Sequence, residues 1–88
     1  MAHMLARLRN VKLGIIKDIL MRDATEHSKE GLFLDHIWQN ADDTDEILFL
    51  FHTTDLNHVK EFINRVHSEA LRQDPNANLP QMTYLEEG

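Results

Sequence analysis

The chain has 88 residues, with 15 acidic and 9 basic side chains and a formal net charge of −6. This negative charge repels a phosphate backbone, and no Lys/Arg cluster interleaved with aromatics offsets it, so we expect no nucleic-acid binding. No apolar run approaches the roughly 18 residues of a membrane helix and no signal peptide is visible, which predicts a cytoplasmic protein without membrane association. The absence of cysteine excludes disulfides, thiolate catalysis and cysteine-ligated metal centres.

The first residues differ in character from the rest of the chain. A His-Met pair just before a coherent strand pattern is what a common cloning site encodes. We therefore predict that residues 1–3 are an expression scar and that residues 4–88 form a single domain.

The first half of the chain predicts a strand, a helix and a second strand. Apolar and charged residues alternate over residues 4–9, as in a strand with two different faces. Apolar residues then recur at helical spacing over residues 11–29, with Asn10 as the expected N-cap and Gly31 as the left-handed residue that ends the helix. A more mixed alternation over residues 32–40 predicts the second strand.

The second half repeats this pattern with a stronger strand. Residues 46–52 hold five consecutive apolar residues between charged or polar ends, which is typical of a strand buried on both faces. Thr54 or Asp55 is the expected cap of a second helix with a clear apolar stripe, which ends at Asp74. A short last strand is predicted over residues 81–85.

The acidic turn between the second and third strands is not expected to hold a metal ion. Asp42, Asp43 and Asp45 lack the spacing and the terminal bidentate Glu of a calcium loop, so they are interpreted as a solvated hairpin tip. The chain also contains no nucleophile–base motif, phosphate loop or nucleotide fingerprint, and no cofactor is predicted.

The order strand, helix, strand, strand, helix, strand predicts a ferredoxin-like α+β sandwich. Such a fold has one four-stranded antiparallel sheet with both helices on one face. Its first and third strands are central and its second and fourth strands lie at the edges. Two helices cover only one face of an apolar central strand, so we expect the other face to pair with a second copy of the chain. The pattern does not indicate which face meets the helices.

Three stretches carry a resemblance to a known family. They are the turn 40–43 leading into 46–51, the cap 54–56 leading into 59–62, and the late segment 84–87. The chain resembles the dimeric α+β-barrel superfamily, and within it the antibiotic-biosynthesis-monooxygenase-like and cyclase-like small proteins. The resemblance implies a homodimer whose two sheets close face to face into a barrel, often around a small-molecule cavity.

The resemblance also implies a range of activities. The superfamily includes cofactor-independent oxygenases, haem-degrading enzymes, decarboxylases and cyclases. Many oxygenase-like members have a Trp where this chain has Thr53-Thr54. The helical His of the haem-degrading branch has only His67 as a loose positional match, and its strand Asn has none. Haem degradation is therefore disfavoured.

Two strand histidines are the candidate catalytic residues. Strand alternation places His36 and His52 on one face with Trp38, while Asp35 falls on the opposite face. Two imidazoles beside an indole could serve as acid and base toward an aromatic ligand. Alternatively, each imidazole simply fills a half-buried strand position.

Other polar and aromatic residues are candidates for lining a ligand cavity. This set comprises Trp38, Asp35, Gln39, Phe49, Phe51 and Tyr84. The helical histidines His27, His58 and His67 are expected to face solvent.

Two functions remain open from the sequence. One is a protein that binds or acts on a small apolar or aromatic molecule in a cavity between the sheet and its partner. If this protein is an enzyme, it is expected to be cofactor-independent and monooxygenase-like or cyclase/isomerase-like. The alternative is a non-catalytic accessory or interaction module whose sheet face serves only dimerisation.

Overall fold

The computed structural model describes all 88 residues, Met1–Gly88, as four strands and three helices. The elements in chain order are β1 (Ala2–Arg9), α1 (Leu13–Arg22), α2 (Ala24–Lys29), β2 (Phe33–Gln39), β3 (Glu46–Thr53), α3 (Leu56–Gln73) and β4 (Gln81–Leu85). This order confirms the predicted α+β arrangement, except that two consecutive helices replace the predicted first helix. None of the helices combines the length and the apolar content that a membrane span needs.

The predicted continuous helix over residues 11–29 is wrong because the chain breaks at Asp23. Asp23 has φ −94° and ψ 3°, and it separates α1 from α2 while its N–H still donates to the carbonyl of Ile19. The predicted cap is also wrong. Asn10 follows β1 in the left-handed region with φ 61°, and Lys12 precedes the helix without a side-chain cap. Gly31 has φ 81°, as predicted for the end of the helical segment.

The sheet has the strand order β2-β3-β1-β4, and every neighbouring pair is antiparallel. This confirms the prediction that β1 and β3 are central. The second half of the chain also follows its pattern closely. The Asp55 carboxylate accepts a hydrogen bond of 3.1 Å from the His58 N–H at the start of α3, which is the expected cap.

The two faces of the sheet have different surroundings. On one face, which we call the covered face, side chains of β1 and β3 pack against α1 and α3 to form the core. The core consists of Met4, Ala6, Leu8, Ile16, Leu20, Leu32, Ile47, Phe49, Phe51, Val59 and Ile63. The other face, which we call the open face, has no helix over it. It carries the alternate residues of the same strands, including Leu5, Leu48 and Leu50, which are only partly buried.

A β-bulge in β2 changes which residues of this strand lie on each face. Leu34 pairs with Phe51 and His36 pairs with Leu50, so Asp35 is an extra residue between them. The extra residue shifts the alternation by one position. Phe33 therefore lies beside His52 on the open side, and the predicted uninterrupted alternation through β2 is wrong at this point.

Candidate functional site

The helices and the covered face form the walls of a cavity of about 270 Å³ that is partly open to solvent. Its walls are mostly apolar and come from both layers of the fold. The sheet side includes Met4, Leu8, Phe49, Phe51 and Met82, and the helix side includes Ile16, Ile19, Leu20, Phe62, Ile63 and Val66. The polar side chains in the wall are Asp23, His27 and His67. Mostly apolar walls with few polar groups are typical of sites for small organic molecules.

His67 reaches the cavity from α3. It lies four residues after Ile63, which is buried in the core, and this spacing places both side chains on the same side of the helix. The imidazole is half-buried, and this burial lowers its pKa below the ordinary value of 6.5. The neutral form is therefore favoured, and a neutral imidazole can both donate and accept a hydrogen bond.

His27 reaches the cavity from α2. Its ring meets the ring of Phe51 edge to face, with centroids 5.5 Å apart and planes at 88°. Burial lowers the pKa of His27, and the carboxylate of Asp23 opposes that shift only in part. His27 is therefore a second half-buried imidazole whose neutral form is favoured.

A second depression of about 360 Å³ adjoins the cavity near α2. The two spaces share Leu20, His27, Leu32 and Phe51 as wall residues. The side chain of His27 thus borders both spaces, where it can meet a ligand that occupies either of them.

The prediction that His27 and His67 face solvent is wrong. Both residues lie among charged neighbours in the chain, which suggested a polar helix face. The helical spacing nevertheless held a signal for His67, because it follows Ile63 by four residues in one continuous helix. The position of His27 had no such signal, because the break at Asp23 separates it from the apolar residues of α1.

The candidate catalytic histidines lie on the open face, and each has its own partners. His52 Nδ1 lies 2.7 Å from Asp35 Oδ1, and its ring stacks on Phe33 with centroids 5.1 Å apart. The prediction that Asp35 lies on the opposite face from His52 is wrong, because the bulge turns Asp35 toward the open side. A carboxylate at Nδ1 fixes the orientation of the ring and leaves Nε2 for other contacts.

His36 pairs with Leu50 and stacks on Trp38, with ring centroids 5.0 Å apart and planes at 19°. Trp38 is 46% exposed on this face. His36 and His52 thus share the open face, as the strand pattern indicated. A catalytic role for the pair stays a prediction.

The remaining cavity candidates lie in different places. Phe49 and Phe51 line the cavity under the helices. Gln39 is exposed on the edge strand β2, opposite Ile47. Tyr84 packs against the core from β4, with Lys60 Nζ 5.2 Å from its ring centroid, and burial raises its pKa. Tyr84 and Gln39 are not among the cavity walls, and no group of three or more His, Cys, Asp or Glu side chains is placed to hold a metal ion.

The sheet order and the helix-covered face define an α+β protein of ferredoxin-like architecture. The chain is similar to a crystal structure from Deinococcus radiodurans described as a "putative antibiotic biosynthesis monooxygenase". The two agree with a TM-score of 0.63 and 17% sequence identity, over 100% of this chain and 93% of that one. This likeness shows the fold. No protein-family model matches the chain, and no curated protein matches it.

Proposed function

We propose that this protein binds a small apolar or aromatic molecule in the cavity between its helices and the covered face of its sheet, and acts on it in the manner of a monooxygenase-like enzyme. The observation that carries the proposal is the combination of apolar walls with the two half-buried imidazoles of His27 and His67. The volume of about 270 Å³ lies just below the usual range of ligand cavities, which begins at roughly 300 Å³. A ligand of one or two rings fits that size.

The two imidazoles define the chemistry that the chain itself supplies. The unprotonated ring nitrogen of a neutral imidazole can accept a hydrogen bond from a ring hydroxyl of the ligand. Apolar walls strengthen such a hydrogen bond because they exclude water. We therefore expect the preferred ligand to carry a hydroxyl group at the end that meets His27 or His67.

Binding of 1-naphthol and of naphthalene tests this site. The chain should bind both, with 1-naphthol the tighter ligand, and ¹H–¹³C NMR should show shifts at the Phe49 and Phe51 rings. Val66→Phe fills the cavity and should abolish binding. Ile15→Phe is the matched control, because Ile15 is 58% exposed on α1 and lies outside the cavity wall.

A second pair of variants separates the histidines from the apolar walls. His67→Phe should remove the preference for 1-naphthol while leaving naphthalene binding in place. An equal preference in this variant and in the unchanged chain would exclude His67 as the hydroxyl partner. Absence of binding by either probe would favour the alternative, a non-catalytic module.

We also propose that the open face joins two copies of the chain into a homodimer. Its support is the row of apolar side chains without a helix over them, including Leu48, Leu50 and the 46%-exposed Trp38. Light scattering should report about twice the 10.3 kDa chain mass. Leu50→Asp should give a monomer, whereas Leu71→Asp, at a 44%-exposed leucine of α3, should leave the mass unchanged.

A further inference from the structure

Two arginines on β1 share a single carboxylate. Arg9 Nε donates to Glu46 Oε2 at 2.8 Å, and Arg7 Nε donates to the same oxygen at 3.3 Å. Arg9 lies directly opposite Glu46 in the β1–β3 register. The Glu46 side chain is only 8% exposed, while those of Arg7 and Arg9 are 43% and 63% exposed. The buried carboxylate therefore holds two solvent-facing guanidinium groups close together.

Glu46 has little capacity left for other donors. Asn40 Nδ2 donates to its other oxygen, Oε1, at 3.1 Å. The hydrogen bonds from Arg9 and Asn40 are the main reasons that the pKa of Glu46 is lowered, and they keep the carboxylate ionised. One negative charge thus faces two positive charges, which leaves a surplus of one positive charge in a chain whose net charge is −6.

The terminal nitrogens of both guanidinium groups remain without a protein acceptor. Only the Nε of each arginine is used in a side-chain hydrogen bond. A guanidinium carries five N–H donors in a planar fork, so four donors on each group are left for a ligand. One arginine would suffice to neutralise Glu46, and the second arginine adds repulsion unless a further anion is near.

The arginines border a depression of about 290 Å³ at the end of the sheet. Its other walls are Leu79 and the three amide side chains of Asn10, Asn78 and Gln81, and none of these residues carries a carboxylate. Asn78 Nδ2 donates to the carbonyl of Arg9 at 2.7 Å, and this bond holds the loop before β4 against β1. The depression is thus lined by hydrogen-bonding groups with a positive surplus, and hydrogen bonds hold Arg7, Arg9 and Asn78 in place.

We propose that this depression is a binding site for a small oxyanion, either a carboxylate or a phosphate group. Both anions present paired oxygens at the spacing that the guanidinium fork matches. Glu46 acts as a positioning residue, since it fixes both forks without meeting the ligand. The amides of Asn78 and Gln81 supply neutral donors at the rim. The site lies apart from the two cavity histidines and does not depend on the proposed ligand of the cavity.

An NMR titration at constant ionic strength tests the site. Sodium phosphate and sodium benzoate are the two probes, and sodium chloride is the reference for general screening. We expect saturable shifts of the Arg7 and Arg9 Nε–H signals and of the Asn78 side-chain amide with at least one oxyanion. The tighter probe tells whether a phosphate or a carboxylate is preferred. Chloride producing the same shifts, or no saturation with either oxyanion, would overturn the proposal.

Variants show whether the paired guanidinium groups are responsible for the affinity for the oxyanion. Arg9→Gln removes a charge-assisted contact and should weaken binding about tenfold or more. Arg9→Lys keeps the charge but loses the fork, and it should also weaken binding, which covers the case that Arg9→Gln does not fold. Arg72→Gln is the matched control, because Arg72 pairs with Glu69 on the exposed side of α3. Equal affinity in the Arg9 and Arg72 variants would contradict the site.

Discussion

The two faces of the sheet are built from the same strands but have different physical roles. On β3, Phe49 is 6% exposed under the helices, while its neighbour Leu50 is partly exposed on the open face. The covered face is mostly apolar, and the imidazoles of His27 and His67 reach it from the helices. The open face mixes apolar side chains with an Asp–His pair and an Arg–Glu–Arg cluster. Folding therefore depends mainly on the covered face, whereas the open face has no second layer of the chain packed on it.

The largest expected effect is on the covered face. Phe49→Ala should lower the free energy of unfolding by about 3–5 kcal/mol, because it leaves a void among core residues. Leu50→Ala, one residue away, should cost only about 1 kcal/mol and should chiefly weaken self-association. Urea unfolding together with light scattering measures both. Equal losses of stability in the two variants would remove the difference between the faces.

A pH dependence near neutrality should belong to the covered face. The pKa values of His27 and His67 are lowered by burial, so the unfolded chain binds more protons below about 6.5. Stability should therefore fall as pH drops from about 6.5 toward the folded pKa values. Replacing both histidines by Gln should reduce the change in the free energy of unfolding with pH. Urea unfolding at a series of pH values from 7 to 5 measures this change.

Tyr84→Phe provides the control for this titration. The pKa of Tyr84 is raised from an ordinary value of 10.0, so its hydroxyl does not titrate in that window. In this variant the free energy of unfolding should still fall between pH 7 and pH 5 as it does in the unchanged chain. If the free energy of unfolding still falls with pH in the double Gln variant, titratable groups other than His27 and His67 cause the pH dependence.

The contribution of Glu46 on the open face should be lost at more acidic pH. The pKa of Glu46 is lowered from 4.5, mainly by Arg9, so its contribution is present above that value and is lost as pH falls through the folded pKa. Glu46→Gln should reduce the acid dependence below about pH 4.5. Glu69→Gln is the comparison, because the pKa of Glu69 is also lowered but by Arg72 on an exposed helix side. If Glu69→Gln reduces the loss of stability at acidic pH more than Glu46→Gln does, the acid sensitivity arises mainly in α3 and not in the sheet.

The smallest expected effect concerns the Asp–His pair. Asp35→Ala removes the acceptor at His52 Nδ1 and should lower the free energy of unfolding by about 0.5–1 kcal/mol. The effect is small because both side chains are partly exposed to water. ¹⁵N NMR of the imidazole should show a change in the Nδ1 environment. Asp42→Ala, in the exposed turn before β3, should change neither measurement. Unchanged ¹⁵N shifts in Asp35→Ala would contradict the pairing.

Much of the fold was determined by the sequence alone. The apolar run of β3, the Asp55 cap and the end of α3 before Asp74 are local patterns, and each predicted its element within a residue or two. The central position of β1 and β3 followed from the order of the elements. Periodicity and capping act over a few neighbouring residues, so a single sequence displays them directly.

The details of the candidate site were decided by the tertiary structure. The break at Asp23 turns α2 so that His27 meets Phe51, and the bulge at Asp35 brings that carboxylate to His52. The local residue pattern reveals neither the break nor the bulge. Each is a change in backbone geometry over one residue, and packing against other parts of the fold selects it. The choice of Phe49 rather than Leu50 for the covered face has the same cause. The β3 side chains that point to either face are mostly apolar. The two faces differ only because the helices pack on one of them.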